Sequence, residues 1–550
     1  TSRERLHLHE EQIYPIQGLA FPDWETPADA AAYTAAKLFL QSARRIQPHF
    51  ELTADDVPDL THICRLVEGM PLGIELAAAW VDTLSLADIA AEIRRSLDLL
   101  ATEVRNIPAR HRNMRAVFDA SWQRLNEAER KILARLSIFR GGFTRQAAQH
   151  IAGASLRQLG KLTSKSHLQY NRDRDRYQIH ELLRQYGAEK LAENAEGEAT
   201  TRDRHSAYYT DLLHQRAAHL KGPEQLTALA EIEADFENVR SAWDWAVQQR
   251  QLDWIKRGVE SLSRFYEWYG RYQEGAATFR RAAERLATID QPLLLVKILI
   301  KQAAFDRVLG NIEQTESLLR QSQSLLADPV LAHQETRHEQ AAIWQGLAGL
   351  ATHTGQSQAA RDQYDDSLAL YQAVEDQWGA AKVLLEIAFL SRNFNDAANA
   401  QGYWNQLEQA KQYVSASLAI FQDLGDQAGI ADGLYQLGVT FLFLGHFNES
   451  QTALEESTAI YETLGLKSGI VLATGHLASA NAILGLHERA EVEGRFALDL
   501  ARDLAYPEGI HIGLGRAIWD AIQQGDYRTA QHFAQENIAL NQRRGAQHAL

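Results

Sequence analysis

The segments GHFNES (445–450), GLHERA (485–490) and GDYRTA (525–530) each begin with a glycine, and these glycines lie 40 residues apart. A second series shares the interval: Gly429, Gly469 and Gly509. A glycine that ends a helix allows a left-handed backbone, which other residues adopt at a cost. Two helices of about 15 residues with their turns fill such a period. The spacing therefore predicts stacked helix pairs, each glycine ending a helix.

This helix–turn–helix period resembles the tetratricopeptide repeat, in a 40-residue form, over about residues 252–540, and it predicts about seven repeats. Between Gly379 and Gly429 the interval is 50, so one repeat carries about ten extra residues. The resemblance implies recognition on the concave face of a solenoid. The expected contacts are the solvent-side polar positions of three first helices: 340–352, 432–443 and 468–484. The ligand could be a protein, a peptide or a small-molecule inducer.

Charge is unevenly distributed along the 550 residues, whose net charge is -15. Residues 105–191 hold 18 Lys/Arg and 7 Asp/Glu, a local balance of +11. A basic segment in an acidic chain indicates a local anion site, for a nucleotide, a nucleic acid or an acidic surface of the same molecule.

The compartment is predicted from what the sequence lacks. Cys64 is the single cysteine, so no internal disulfide is available, and a reducing cytoplasm fits best. We find no apolar run of the roughly 18 residues that would span a bilayer and no export leader, so neither membrane association nor secretion is expected.

Residues 123–191 are predicted to form a winged helix. Asn126, Thr144 and Ser155 are suited to begin three successive helices. Two short strands, 167–170 and 177–179, follow, joined by the segment NRDRDR, and a helix then spans 181–191. The arginines of the hairpin favour either DNA binding or a solvated tip of mixed charge.

The segment EGMPLGIELAAAWV (68–81) looks like the Gly-Leu-Pro-Leu segment of the STAND class of signal-transduction ATPases, which includes the NB-ARC proteins. The segments RLHL (5–8), PHFELTADD (48–56), RHRNMRAVFDASWQRLNEAER (110–130), FRGGFT (139–144) and EADFENVRSAWDWA (233–246) resemble bacterial regulators of that class. Ile179-His180-Glu181 resembles the Met-His-Asp motif of the class, with glutamate in place of aspartate. The order of these segments is similar along the whole chain.

The resemblance implies a nucleotide site and a division of the chain. Arg3 would face the γ-phosphate, Pro71 would pack on the adenine, and His180 would reach the β-phosphate of ADP. Five segments are expected: 1–27, the end of a nucleotide-binding domain; 28–115, a helical lid subdomain; 116–192, the winged helix; 193–251, linker helices; and 252–550, the repeat sensor.

The phosphate-binding loop G-x-x-x-x-G-K-[ST] is missing from the sequence. Gly160-Lys161 is the only Gly-Lys pair, Gly153 stands seven residues before Gly160, and Leu162 takes the Ser/Thr position. The chain is therefore expected to be the C-terminal part of a longer protein. That protein is expected to be a slow regulatory ATPase that binds ADP or ATP with Mg²⁺ and self-associates when activated. No catalytic residue and no metal site are predicted here, and no tightly bound cofactor is expected.

The predicted fold is mainly α, with a helical lid subdomain and winged helix before a tetratricopeptide-type α-solenoid. The predicted function is the regulatory and sensor part of a STAND-type regulator. A winged-helix DNA-binding protein and a plain repeat scaffold are the alternatives. Specific DNA binding by this chain is not expected, since the winged helix of this class is usually a switch element.

We expect this chain to hydrolyse no ATP and to bind ADP weakly or not at all, because Arg3, Pro71 and His180 supply only the lid side of a nucleotide site. Phosphate release from ATP and calorimetric titration with ADP measure the two quantities. Measurable turnover, or micromolar ADP affinity, would show that the missing phosphate loop is not needed.

Overall fold

The computed structural model describes residues 18–22, 27–100, 113–393 and 400–544. The chain is mainly α-helical and folds into two compact units. Unit 1 comprises Thr1–Tyr209 and Asp235–Trp245, and unit 2 comprises Thr210–Ala234 and Ala246–Leu550. In the described ranges, no helix has both the length and the apolar character to cross a bilayer. The division into five segments stays a prediction.

Unit 1 begins with helices that enclose a common core. They are a 3-10 turn, Pro27–Ala32, then α1 Thr34–Ile46, α2 Val57–Leu66, α3 Pro71–Ala78, α4 Leu86–Arg95, a 3-10 turn Leu97–Leu99, and α5 Met114–Gln123. Phe39, Leu60 and Ile63 are fully buried in this core. Cys64 is buried with them, and burial raises the pKa of its thiol to about 12.

The second part of unit 1 follows the predicted order of elements. It contains α6 Glu127–Leu136, α7 Arg145–Ala147, a π-helical turn Ala148–Ala152, α8 Leu156–Ser164, β1 Gln169–Asn171, β2 Arg176–Gln178 and α9 Glu181–Ala192. The side chains of Asn126, Thr144 and Ser155 accept hydrogen bonds from the first turns of α6, α7 and α8. Strands β1 and β2 pair antiparallel, with Tyr170 opposite Tyr177. A winged helix remains a prediction for this arrangement.

The hairpin arginines do not share one solvated face. Arg172 and Arg174 are exposed, but Arg176 is buried and forms an ion pair of 2.6 Å with Asp235. Asp235 directly precedes helix α12, which spans Phe236–Gln248, and it also accepts a hydrogen bond from Tyr209. Because its charge is neutralised inside the unit, Arg176 is not available to an external anion.

The linker helices α10 Ala195–Arg216 and α11 Gln225–Ala234 follow α9 along the chain. Unit 2 continues as seven helix pairs: α13 Leu252–Trp268 and α14 Tyr272–Leu286; α15 Pro292–Val308 and α16 Ile312–Leu326; α17 Arg337–His353 and α18 Ser357–Ala373; α19 Gln377–Asn393 and α20 Ala400–Leu424; α21 Gln427–Phe443 and α22 Phe447–Leu464; α23 Lys467–Ile483 and α24 His487–Asp503; α25 Pro507–Gln523 and α26 Tyr527–Arg544. The predicted helical repeat is confirmed.

The two glycine series have different roles. Gly445, Gly485 and Gly525 lie in the left-handed region, with φ of 75°, 82° and 75°, and they end the first helix of each pair as predicted. The prediction is wrong for the second series, whose glycines lie in the first turn of a helix. A Cβ at Gly469 would lie 2.5 Å from the ring of Tyr461, and one at Gly429 would lie 2.2 Å from Phe421. These glycines make room for a ring of the preceding helix.

The ten extra residues fall where helix α20 begins. This helix has 25 residues, whereas α22 has 18 and α24 has 17. Residues 394–399, the first part of the insertion, lie outside the described residues. A hydrogen bond that recurs between the two helices of a pair shows the same ten extra residues. Ser457 donates to the carbonyl oxygen of Ala431, 26 residues earlier. Ser417 donates to the carbonyl oxygen of Ala381, 36 residues earlier.

We expect Gly469→Ala to lower the free energy of unfolding by about 1–3 kcal/mol, because the new methyl group overlaps the buried ring of Tyr461. Gly515→Ala is the matched control in a neighbouring first helix, where nothing lies within 4 Å of the added Cβ. It should be neutral or stabilising by up to about 1 kcal/mol. Urea denaturation followed by circular dichroism measures both, and equal effects would contradict the steric explanation.

Candidate functional site

Two segments singled out in the sequence meet in unit 1. The backbone N–H of Glu181, the first residue of α9, donates a hydrogen bond of 2.9 Å to Oε1 of Glu68. Glu68 directly precedes Gly69-Met70-Pro71, where α3 begins. The Gly-Leu-Pro-Leu-like segment and the Met-His-Asp-like segment are therefore in direct contact, although they lie more than a hundred residues apart in the chain.

His180 caps helix α9. Its Nδ1 accepts a hydrogen bond of 3.2 Å from the backbone N–H of Leu182. A neutral imidazole has one protonated nitrogen, so this bond assigns the proton to Nε2. Nε2 is buried and has no hydrogen-bond partner among the described residues. Its neighbour Oε2 of Glu68 is 3.8 Å away. Nε2 thus makes no hydrogen bond of regular geometry, although the backbone carbonyl of Val67 and the carboxylate of Glu68 both act on the ring.

Burial lowers the pKa of His180 below its usual 6.5, since the charged imidazolium is poorly solvated. The carboxylates of Glu68 and Glu181 and the carbonyl of Val67 oppose this shift without cancelling it. His180 is therefore neutral near pH 7, and it presents an N–H donor rather than a charge.

Glu181 is held in place by Arg184, one helical turn later. The guanidinium donates two hydrogen bonds of 2.8 Å to the carboxylate, and it donates a third of 3.1 Å to the carbonyl of Ser137. Burial by itself would raise the pKa of Glu181, but the hydrogen bonds and charge of Arg184 lower it below the usual value. The glutamate that replaces the usual aspartate is thus ionised, and both of its carboxylate oxygens accept hydrogen bonds from Arg184.

A cleft of about 400 Å³ adjoins this contact, and we call it the α9 cleft. It is lined by Phe21, Glu68, Phe139, Gly141, Gly142, Phe143, Gln169, Gln178, Ile179, His180, Glu181 and Arg184. Its wall combines aromatic rings with the polar first turn of a helix. The N–H groups and dipole of a helix N-terminus favour an anion.

Of the three residues predicted to contact a nucleotide, one lines the α9 cleft, one does not, and one is not described. His180 lines the α9 cleft. Pro71 is exposed at the first position of α3, near the cleft in sequence but not among the residues that line it. Arg3 lies outside the described residues. Their shared role in a nucleotide site stays a prediction.

Glu68 is the functional candidate that we did not predict from the sequence. It stands at the edge of the quoted segment 68–81, but nothing in its spacing connects it with residue 181. Its backbone has a φ of 46°, in the left-handed region that non-glycine residues occupy at a cost. This unusual conformation directs the chain into α3.

The segments predicted to bind a partner lie in α17, α21 and α23. Their polar stripes are half-buried rather than open, and within them Gln340, Phe443 and Ile483 are the exposed residues. Several of their polar groups bind neighbouring helices. Asp432 pairs with Lys382 at 2.5 Å, and Gln436 accepts from Arg392 at 2.8 Å. Partner binding by these segments stays a prediction.

A cluster of cations around Trp378 was not predicted. The Lys221 ammonium lies 4.4 Å from the centre of the indole ring, and the Arg264 guanidinium lies 4.3 Å from it. The indole N–H donates to Asp426, which also accepts from Gln225. The ammonium of Lys221 has no ion-pair or hydrogen-bond partner in the part of the chain that the structure describes, and burial lowers the pKa of this group.

Among the described residues, no group of three or more His, Cys, Asp or Glu side chains is arranged to hold a metal ion. The lining of the α9 cleft includes hydrogen-bond donors and aromatic rings, together with the carboxylates of Glu68 and Glu181. The donors and the rings suit an anion linked to a planar ring system.

The fold is that of a helical repeat protein, and the relatives found among curated proteins include some named as transcriptional regulators. The chain is 30% identical over 392 residues, 66% of its length, to proteins of Mycobacterium tuberculosis and Mycobacterium bovis named "Putative HTH-type transcriptional regulator". It spans about two fifths of their length, since the match covers 42% of each. The resemblance to bacterial regulators predicted from the sequence is confirmed by this similarity. No family model matches the chain.

Solved structures with a similar fold include a Signal Transduction ATPase with Numerous Domains (STAND) protein from Pyrococcus horikoshii that has a tetratricopeptide repeat sensor. The TM-score is 0.48 at 15% identity, over 92% of this chain and 66% of that one. A Rap protein complexed with Competence and Sporulation Factor matches with a TM-score of 0.42 at 12% identity, over 60% of this chain and 98% of that one.

We expect His180 to make unit 1 less stable in acid. Its pKa is lowered in the folded state, so its stabilising contribution is complete above pH 6.5 and is lost as the pH falls from 6.5 through the folded-state pKa. His180→Asn keeps an acceptor for the N–H of Leu182 but cannot be protonated. The variant should therefore lose less stability than the wild type between pH 7.5 and 5.5.

Urea denaturation at the two pH values measures this difference, and His49→Gln, a change at an exposed site, is the control. A wild type and an Asn variant with the same pH dependence would contradict a buried neutral His180.

Proposed function

We propose that this chain is the regulatory and sensor part of a STAND-type transcriptional regulator. The contact of Glu68 with the first turn of α9, beside the α9 cleft, carries this proposal. It joins the two segments that would close over a nucleotide. The similarity to the mycobacterial proteins supports a role in regulation.

The α9 cleft is the proposed place for the phosphate end of ADP. The Nε2–H of His180 makes no hydrogen bond of regular geometry among the described residues, and the first turn of α9 adds a favourable dipole. The nucleotide would supply the anion that this donor lacks. Arg184 would keep Glu181 turned toward its own helix. Pro71 and the rings that line the cleft, Phe139 and Phe143 among them, are candidates to contact the base.

The repeats of unit 2 are the proposed sensor. Helical repeats bind partners along an extended face, and the half-buried polar groups of α17, α21 and α23 remain the candidate contacts. The unpaired Lys221 beside Trp378 adds a position that would favour an acidic group. A protein, a peptide or a small-molecule inducer bound there would shift the nucleotide state of the whole protein. Self-association of the activated protein and a cytoplasmic location belong to the same proposal.

DNA binding by this chain is not part of the proposal. Several basic side chains of the 105–191 segment are paired within unit 1: Arg115 with Asp98 and Glu189, Lys165 with Glu129, and Arg176 with Asp235. Arg157 and Lys161 of α8 remain exposed. A salt-sensitive footprint that is lost in a variant lacking both charges would favour the DNA-binding alternative instead.

The test is ADP binding by this chain at millimolar concentration, followed by ligand-observed NMR. We expect weak binding, with a Kd of about 1 mM, that His180→Asn weakens at least fivefold. Adenosine should bind less well, because it lacks the anion. His49→Gln, at an exposed site, is the matched control. ADP binding that is unaffected by the Asn variant would place the nucleotide elsewhere.

A further inference from the structure

One buried arginine of unit 2 carries a charge that no carboxylate of the described residues neutralises. Arg392, near the end of α19, is 3% exposed. Its guanidinium donates a hydrogen bond of 2.8 Å to Oε1 of Gln436 and one of 3.2 Å to Oγ1 of Thr440, both on α21. Both acceptors are neutral, and Nε is buried without a hydrogen-bond partner in the described ranges. Two of the five N–H groups are therefore satisfied, but the positive charge is not.

This arginine is an exception among the first helices of the repeats. Each other lysine or arginine of these helices that is buried or half-buried in the described part of the chain forms an ion pair with a carboxylate. They are Arg264, Lys297, Lys301, Arg307, Lys382 and Arg516. A buried charge is costly unless it is paired, and arginine keeps its proton at neutral pH. Burial accordingly lowers the pKa of Arg392 to about 10, and Tyr435 and Tyr403, rather than a carboxylate, oppose this shift.

Two phenyl rings cover the guanidinium of Arg392. Its central carbon lies 5.5 Å from the ring centre of Phe389 and 6.0 Å from that of Phe443. Phe443 is 46% exposed, so the charge lies against a ring that faces solvent. Exposed side chains change rotamer rapidly, and rotation of this ring opens the guanidinium to a ligand. The free Nε–H and a neighbouring N–H of the fork match the two oxygens of a carboxylate.

A second unpaired cation lies toward the other end of α19. The ammonium of Lys221 is 4.4 Å from the indole of Trp378 and has no ion-pair or hydrogen-bond partner among the described residues. Trp378 precedes Arg392 by 14 residues. This separation corresponds to about 21 Å along a helix and returns to nearly the same face. About six or seven residues of extended peptide span this length. A peptide with several carboxylates therefore fits both cations, whereas a single small anion fits one.

We propose that α19 binds an extended acidic peptide, one carboxylate of which pairs with Arg392 while another approaches Lys221. The composition of the repeats favours a peptide over a nucleic acid. Residues 252–550 hold 24 Lys/Arg and 36 Asp/Glu, and this excess of negative charge repels a ligand with a charge on every phosphate. The inference rests on the proposed sensor role of the repeats, and it deepens that role by naming the chemistry of the ligand and its anchor.

Ligand-observed NMR of the full chain with octaglutamate, and with neutral octaglutamine for comparison, tests the proposal. We expect octaglutamate to bind the wild type and octaglutamine not to bind. Arg392→Met keeps an apolar stem against Phe389 but removes the charge, so it should weaken octaglutamate binding by about tenfold or more. Lys221→Gln should weaken it by a smaller factor. Arg495→Gln removes an exposed charge from the second helix α24 and should leave the affinity unchanged.

Unfolding in urea separates a binding role from a structural one. Arg516 is the matched arginine, since it is 8% exposed but paired with Asp520. Arg516→Met leaves Asp520 unpaired and should lower the urea midpoint, whereas Arg392→Met should leave the midpoint unchanged or raise it. An equal loss in the two variants would show that Arg392 serves the fold, and would overturn the inference.

A conservative variant covers the case in which Arg392→Met loses helix content. Arg392→Lys keeps the charge without the planar fork, so it should still weaken octaglutamate binding. Unchanged binding in this variant would contradict the proposal. Asp396 lies outside the described residues, and a gain of about tenfold in Asp396→Asn would show that Arg392 has an internal carboxylate partner, which would also overturn it.

The remaining outcomes separate this inference from the nucleotide site. Octaglutamate binding that does not depend on Arg392 would overturn the inference, and so would Arg392-dependent binding of octathymidylate, which would indicate a nucleic acid. Either result leaves ADP binding that depends on His180 as support for the nucleotide site. Arg392-dependent peptide binding without ADP binding would support the peptide site and contradict the nucleotide function.

Discussion

The close approach between successive repeats is the constraint on which unit 2 depends. At the four junctions that carry Gly379, Gly429, Gly469 and Gly509, the start of a first helix lies against a side chain eight residues earlier, on the preceding helix. Glycine is needed at this point when that side chain is a ring, as in Gly379 against Tyr371 or Gly469 against Tyr461. At the last junction Ala501 takes the place of the ring, but Gly509 remains because a Cβ would meet Val471 at 2.4 Å. The close contact itself is thus retained when the ring is not.

Buried hydrogen bonds join the two helices within three of the repeats. Ser367, Ser417 and Ser457 are fully buried, and each donates to a carbonyl oxygen of the first helix of its own repeat. A buried hydroxyl needs such a partner, since an unsatisfied one costs about 1–3 kcal/mol. These bonds fix how far each second helix can slide along its partner.

Helix α9 serves both the core and the candidate site of unit 1. Leu182 and Tyr186 are buried in the core that α1 to α5 enclose, and Tyr186 donates a hydrogen bond to Asp119. The first turn of the same helix presents the N–H of Glu181 and the ring of His180 to the α9 cleft. Any movement of the Glu68 segment relative to α9 would therefore disturb both.

The sequence alone determined the helices whose ends are set by residues nearby in the chain. Glycines at an interval of 40 residues predicted the helix pairs, and Asn126, Thr144 and Ser155 predicted where α6, α7 and α8 begin. These features depend on residues within a few positions of each other. The second glycine series was misinterpreted, because its requirement comes from rings on a different helix. Likewise, the contact of Glu68 with α9 and the buried pair of Arg176 with Asp235 join distant positions. Only the tertiary structure decided them, because packing, rather than local propensity, brings such side chains together.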